Sequence, residues 1–157
     1  MPALVLCTTV LAACEVRKEL PPTPPLTVSQ SEFQHLRWLE GSWRGSGGGI
    51  DAFFEGYRWV DDTTIRKYGF ADSTLAVISD SGDIALRGGF VRSGFAERSY
   101  VVVELDSARA RFTPEGNASN GFEWMRTGPG EWTARLTWDS AGVPRARTYT
   151  MRALVKP

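Results

Sequence analysis

The chain is 157 residues long and carries 18 basic and 18 acidic residues, two cysteines and one histidine. That length accommodates one domain, and a net charge of zero lacks the positive field that gathers polyphosphate, so nucleic acid is excluded as an expected partner. Cys7 and Cys14 both fall in the opening apolar stretch, which leaves the rest of the chain no thiol for a disulfide, a thiolate metal site or a nucleophile.

From Ala3 to Ala13 the chain is mostly apolar for about eleven residues, too short to span a bilayer as a helix and of the length of an export signal's core. Charged residues follow at once, in the run from Glu15 to Glu19. Leu11-Ala12-Ala13-Cys14 resembles the lipobox of bacterial lipoproteins, and the resemblance implies cleavage before Cys14 and a diacylglycerol on its thiol. A plain secretory signal ending near Ala13 is the alternative. Only Met1 and Pro2 precede the run, without the basic residue usual in that pattern. Glu15 stands where, in the enterobacterial sorting pattern, an Asp would favour the inner membrane; by that analogy the protein is expected on the outer membrane, facing the periplasm. Residues 15–30, with Pro21, Pro22, Pro24 and Pro25, read as an extended polar tether. The expected organisation is a signal peptide over 1–13, a lipidated amino terminus and tether over 14–30, and a domain over 31–157.

The domain opens with Ser31 as a possible N-cap, and Phe33, Leu36 and Leu39 recur every three residues, which predicts a short helix or 3₁₀ turn acting as a lid or plug. After it, Val-, Thr-, Tyr-, Phe- and Trp-rich runs alternate with turn signals and predict strands over 42–46, 53–60, 63–70, 74–79, 83–90, 97–105, 109–113, 121–127, 131–139 and 145–154. The connections are short: Asp61-Asp62, and the segments 80–83, 127–130 and 139–144. Hairpins throughout predict an all-β fold, an antiparallel up-and-down β-barrel of about 8–10 strands with a short N-terminal helix. A two-sheet sandwich is the alternative. Alternation places Trp132, Ala134, Leu136 and Trp138 on one inward face, groups Phe53, Tyr57 and Trp59 on another, and pairs Phe122 with Trp124. Such an interior either packs solid or surrounds a flat apolar ligand.

Residues 33–49 contain Leu-x-Gly-x-Trp, with Gly41 and Trp43, directly after the helical turn. This resembles the entrance of the calycin superfamily, the lipocalins, fatty-acid-binding proteins and nitrobindins, and most of all its uncharacterised bacterial lipocalin-like branch. The resemblance implies that Gly41 and Trp43 are structural, with the tryptophan plugging the closed end of the barrel under Arg152, Arg147 or Arg145. Arg147 and Tyr149, two apart on the last strand, are similar to the pair that holds a carboxylate in fatty-acid-binding proteins, although fifteen Arg against three Lys makes a chance match easy. Nitrobindins ligate haem through a histidine near the carboxyl end; the single histidine here is His35, which reads as a solvated residue of the helical turn, so no cofactor is expected.

No Ser-His-Asp, Cys-His or metal-ligand spacing is present. Asp61, Asp62, Asp80 and Asp83 read as turn formers, and the glycine-rich run after Trp43 as a wide turn or strand-end bulge. Glu55, Glu104 and Glu123 are the residues from which a buried acid pair would be built, the basis of a less favoured carboxylate enzyme. The expected function is that of an exported, lipid-anchored envelope protein that is no enzyme and whose barrel binds a small apolar or amphipathic molecule. Tyr57, Trp59, Trp132, Trp138, Arg147 and Tyr149 are the candidate contacts, and Cys14 is the lipidation site. The alternative is a solid barrel whose outer surface meets another envelope component.

Overall fold

The computed structural model describes residues 23–95 and 98–154; Cys14, the signal segment and the first part of the expected tether lie outside them. A four-residue helix α1 (Gln30–Phe33) passes directly into a 3₁₀ segment (Gln34–Leu39). The cap is Ser29, two residues before the expected Ser31: its side chain accepts from the Glu32 N–H at 3.3 Å while the Glu32 carboxylate accepts from the Ser29 N–H at 2.7 Å. Side chains three apart eclipse in a 3₁₀ helix, so the spacing of Phe33, Leu36 and Leu39 puts all three on one fully buried stripe.

Ten strands follow: β1 (Gly41–Gly47), β2 (Ile50–Asp61), β3 (Thr64–Phe70), β4 (Ile78–Arg87), β5 (Phe90–Phe95), β6 (Arg98–Leu105), β7 (Arg109–Gly116), β8 (Asn120–Gly128), β9 (Glu131–Ser140) and β10 (Val143–Ala153). Each pairs antiparallel with the next, and β10 returns to β1 in the register Trp43 opposite Ala153 through Gly47 opposite Tyr149. The barrel is therefore closed, which removes both sheet edges and decides between the barrel and the sandwich. The architecture is the up-and-down, lipocalin-like barrel with one short helix.

Two expectations in the middle of the chain are corrected. Residues 74–79 are mostly loop: Asp72 Oδ1 accepts from the Thr74 N–H at 2.8 Å and Leu75 takes a φ of 58°. The predicted turn over 80–83 lies instead within β4. The true reversal is Gly88-Gly89, with φ of 58° and 82°, values that side-chain-bearing residues resist, and it opens the unpredicted strand β5.

The segment read as tether packs against the barrel before residue 31. The Leu26 N–H donates to the Val102 carbonyl at 2.9 Å, the Val28 N–H donates to the Gly89 carbonyl at 2.8 Å, and Val28 is 2% exposed. Apolar side chains with backbone donors to satisfy extend the domain amino-terminally, so residues 26–30 belong to its packing.

The plug closes one end of the barrel. Phe33 meets Trp59 edge-on at 5.2 Å, Trp38 meets Trp132 at 5.8 Å, and the Arg37 guanidinium lies 4.4 Å over the Trp59 ring. Beneath them Ile65, Ile84, Val91, Val102 and Met151 fill the barrel with no more than traces of exposure. Replacing Ile84 by Ala in this packed half is expected to cost about 2–5 kcal/mol in urea unfolding, whereas Val77→Ala, in the exposed loop where a strand was predicted, is expected to stay within about 0.5 kcal/mol.

Candidate functional site

Away from the plug the barrel interior is not filled. Inward positions become small, with Gly82, Ser93 and Ala134, and a cavity of about 440 Å³ remains, bounded at its mouth by Ile50, Arg98 and Asn120. Its floor is made by Tyr57 and Trp124, whose rings lie 5.9 Å apart and rest on Trp132 beneath them, 6.0 Å from Tyr57 and 5.8 Å from Trp124. The sides are Phe53 set edge-on to Tyr149 at 5.3 Å, and Tyr100 edge-on to Phe122 at 4.9 Å, with Phe122 itself stacked on the buried Phe112 at 4.4 Å. Leu136 completes the apolar lining.

One wall carries charge. Register places Tyr57 of β2 opposite Lys67 of β3, and Glu55 is two residues from Tyr57 on the same inward face. The Tyr57 hydroxyl donates to Glu55 Oε2 at 2.7 Å, and the Lys67 ammonium sits 2.9 Å from Glu55 Oε1, so each carboxylate oxygen has a donor. Burial, followed by the negative charge of Glu55, holds the Tyr57 phenol well above its ordinary value of 10.0. Nearer the mouth, the Tyr100 hydroxyl donates to Asn120 Oδ1 at 3.1 Å.

Of the six candidate binding residues, Tyr57 and Tyr149 line the cavity. Trp59 lies beneath the plug against Phe33, and Trp132 is 1% exposed below the floor, because both sit at the end of their strands that the plug covers. Trp138 is half-buried, and Arg147 is exposed beside Gly48; neither lines the cavity. Arg147 and Tyr149 do share a face, but only the tyrosine reaches the interior. The arginine cover expected for Trp43 is also corrected: Arg152 pairs with Glu131 on the outer surface at 3.1 Å, and the register sets Arg147 and Arg145 toward the opposite end. Trp43 is held instead by its own indole N–H, which donates to the Leu39 carbonyl at 2.7 Å.

The strand glutamates are not gathered. Glu55 faces the cavity, while Glu123 binds Arg109 at 2.6 Å, and Glu104 binds Arg109 at 3.2 Å and Arg111 more closely, both in the Arg–Glu network of β6 to β8. Among the described residues no group of three or more His, Cys, Asp or Glu side chains is placed to hold a metal ion, and no helix is long and apolar enough to cross a membrane. Sequence reading missed Lys67, Tyr100 and Asn120 as cavity residues. Alternation from Ile65 would have set Lys67 inward, but the apolar Tyr68 and Phe70 on the other parity masked it. Those two rings stack at 6.2 Å, on the parity opposite the cavity-lining Lys67.

No family model matches the chain, and no curated protein matches it. A solved structure described as "Structure of EF1p2_mFAP2b bound to DFHBI" is similar with a TM-score of 0.41 at 10% identity, over 80% of this chain and 100% of that one.

The Tyr57 environment has a consequence for stability. Above its ordinary value of 10.0 the phenol is ionised in the unfolded chain and still protonated in the folded one, so the unfolded state binds fewer protons and stability falls as pH rises. The contribution is present in full below pH 10 and is lost at about 1.4 kcal/mol per pH unit above it. Urea midpoints measured through this range are expected to drop less steeply for Tyr57→Phe than for the unaltered chain.

Proposed function

We propose that this is an exported, lipid-anchored envelope protein whose barrel binds a small apolar or amphipathic molecule, without catalysing a reaction on it. The observation that carries the reading is the ring-lined cavity of about 440 Å³ left in one half of a barrel whose other half is tightly packed. A chain selected only for a stable core would fill this space, since each unfilled methyl-sized void costs about 1 kcal/mol. The size, the apolar lining and the few polar groups are those of small-molecule sites. The same cavity weighs against the solid barrel. The anchor rests on Leu11 to Cys14 and the proline-rich segment after them. Two or three acyl chains, at about 0.8 kcal/mol per buried methylene, would hold the domain at a membrane without any apolar surface of its own.

Two measurements test the two parts. Native mass spectrometry of the chain isolated from its host envelope is expected to show a stoichiometric adduct of small-molecule mass, and a bare mass from folded protein would remove the binding reading. Ser93→Phe, which sets a ring into the cavity from β5, is expected to abolish the adduct while leaving the far-ultraviolet circular dichroism unchanged. Separately, Cys14→Ser is expected to move the chain from the detergent phase to the aqueous phase; unchanged partitioning would remove the anchor.

A further inference from the structure

We infer that the cavity selects a flat, ring-built molecule whose polar end is an uncharged hydrogen-bond acceptor, such as a carbonyl oxygen, received by the Lys67 ammonium. This deepens the binding reading above and rests on it. The shape follows from the walls. The floor is closed where Tyr57 meets Trp124, so a long unbranched chain entering from the mouth has no tube to run along, while Phe53, Phe122 and Tyr149 offer ring surface to a planar guest.

The polar end follows from the charges. Lys67 lines the cavity with its side chain 32% exposed, and its ion pair with Glu55 occupies one of the three N–H donors of an ammonium. Each Glu55 oxygen already accepts one hydrogen bond, from Tyr57 or from Lys67, so the carboxylate is satisfied within the protein, whereas the ammonium keeps two N–H donors beyond its bond to Glu55. Lys67 and Glu55 neutralise each other, and the further cation, Arg98, stands exposed at the mouth: an anionic ligand at Lys67 would be brought against Glu55, and a cation at Glu55 against Lys67. A neutral acceptor takes the remaining ammonium donors and meets neither penalty. Hydrogen bonds to a charged donor are worth about a tenfold gain in affinity or more.

The test uses three probes with one ring skeleton: fluorene, fluorenone and fluorenecarboxylate, each measured by equilibrium dialysis against the full chain. Fluorenone is expected to bind about tenfold tighter than fluorene, with the carboxylate weakest. In the double variant Glu55→Gln with Lys67→Met, which leaves no lone buried charge, the fluorenone advantage is expected to vanish while fluorene binding holds within about twofold; Lys67→Arg is expected to keep the advantage. Equal binding of fluorene and fluorenone, strongest binding of the carboxylate, or a double variant that keeps the advantage would each overturn the inference. The first of these requires only the unaltered chain, so a variant that fails to fold does not protect the idea. If none of the three probes binds, the cavity reading falls along with it, whereas fluorene bound without any preference for fluorenone overturns this inference alone.

Discussion

One hydrogen bond organises the closed end of this barrel: the Trp43 indole N–H donates to the carbonyl of Leu39, with both residues buried. Each group needs the other. A carbonyl at the end of a 3₁₀ segment has no partner within it, and an indole N–H in an apolar cluster has no water. The four-residue separation spans the switch from helix to strand, and Gly41 between them takes a φ of 131° that side-chain-bearing residues rarely adopt. This bond explains the Leu-x-Gly-x-Trp spacing in physical terms. The indole N–H groups of Trp38, Trp59 and Trp132 are buried without partners, so in this ring cluster Trp43 is where a directed bond, and not packing alone, sets position.

With the plug anchored, the closing of β10 on β1 sets which side chains point inward around the barrel. The inner face then divides along the strands. Toward the plug it is aliphatic and aromatic and filled; away from it small residues leave room, and the polar groups Glu55, Lys67 and Asn120 appear beside the rings. A stretch such as 80–83 can be polar at every position and still be a strand, since one of its faces meets solvent and the other lies toward the cavity mouth. Outside, arginines and carboxylates from different strands are matched: Arg92 with Glu115, Arg109 with Glu123 and Glu104, and Arg66 with Asp83. Such surface pairs add little stability each, but they spread both charge signs over the outer wall, in keeping with a chain whose acidic and basic residues balance.

Legibility in the sequence followed the contrast between the two faces of each strand. On β9 the expected inward set is Trp132, Ala134, Leu136 and Trp138 against Glu131, Thr133, Arg135 and Thr137; the bounds match the structure closely and Trp132 and Ala134 are buried, while toward Trp138 the two faces become equally half-buried. On β3 and β4 the contrast fails, because Tyr68 and Phe70 are apolar on the outside while Lys67 and Gly82 are not apolar on the inside. There the bounds of β3 held, but those of β4 slipped, a turn was placed inside it, β5 was passed over, and the lysine of the cavity wall went unnoticed. The site was hard to see for the same reason that it is a site: a wall facing an open cavity does not carry the pattern of a wall facing a core.

By itself, then, the sequence determined the class of fold, the plug and most of the strands, because these depend on local alternation, turn residues and a spacing of three, all of which act between near neighbours. What only the tertiary structure decided is which inward side chains enclose space and which fill it. Tyr57 and Trp59 share a strand face, yet one borders the cavity and the other lies under Phe33. That difference is set by how far along the barrel axis each residue sits relative to the plug, a distance that emerges only when all ten strands have closed in register.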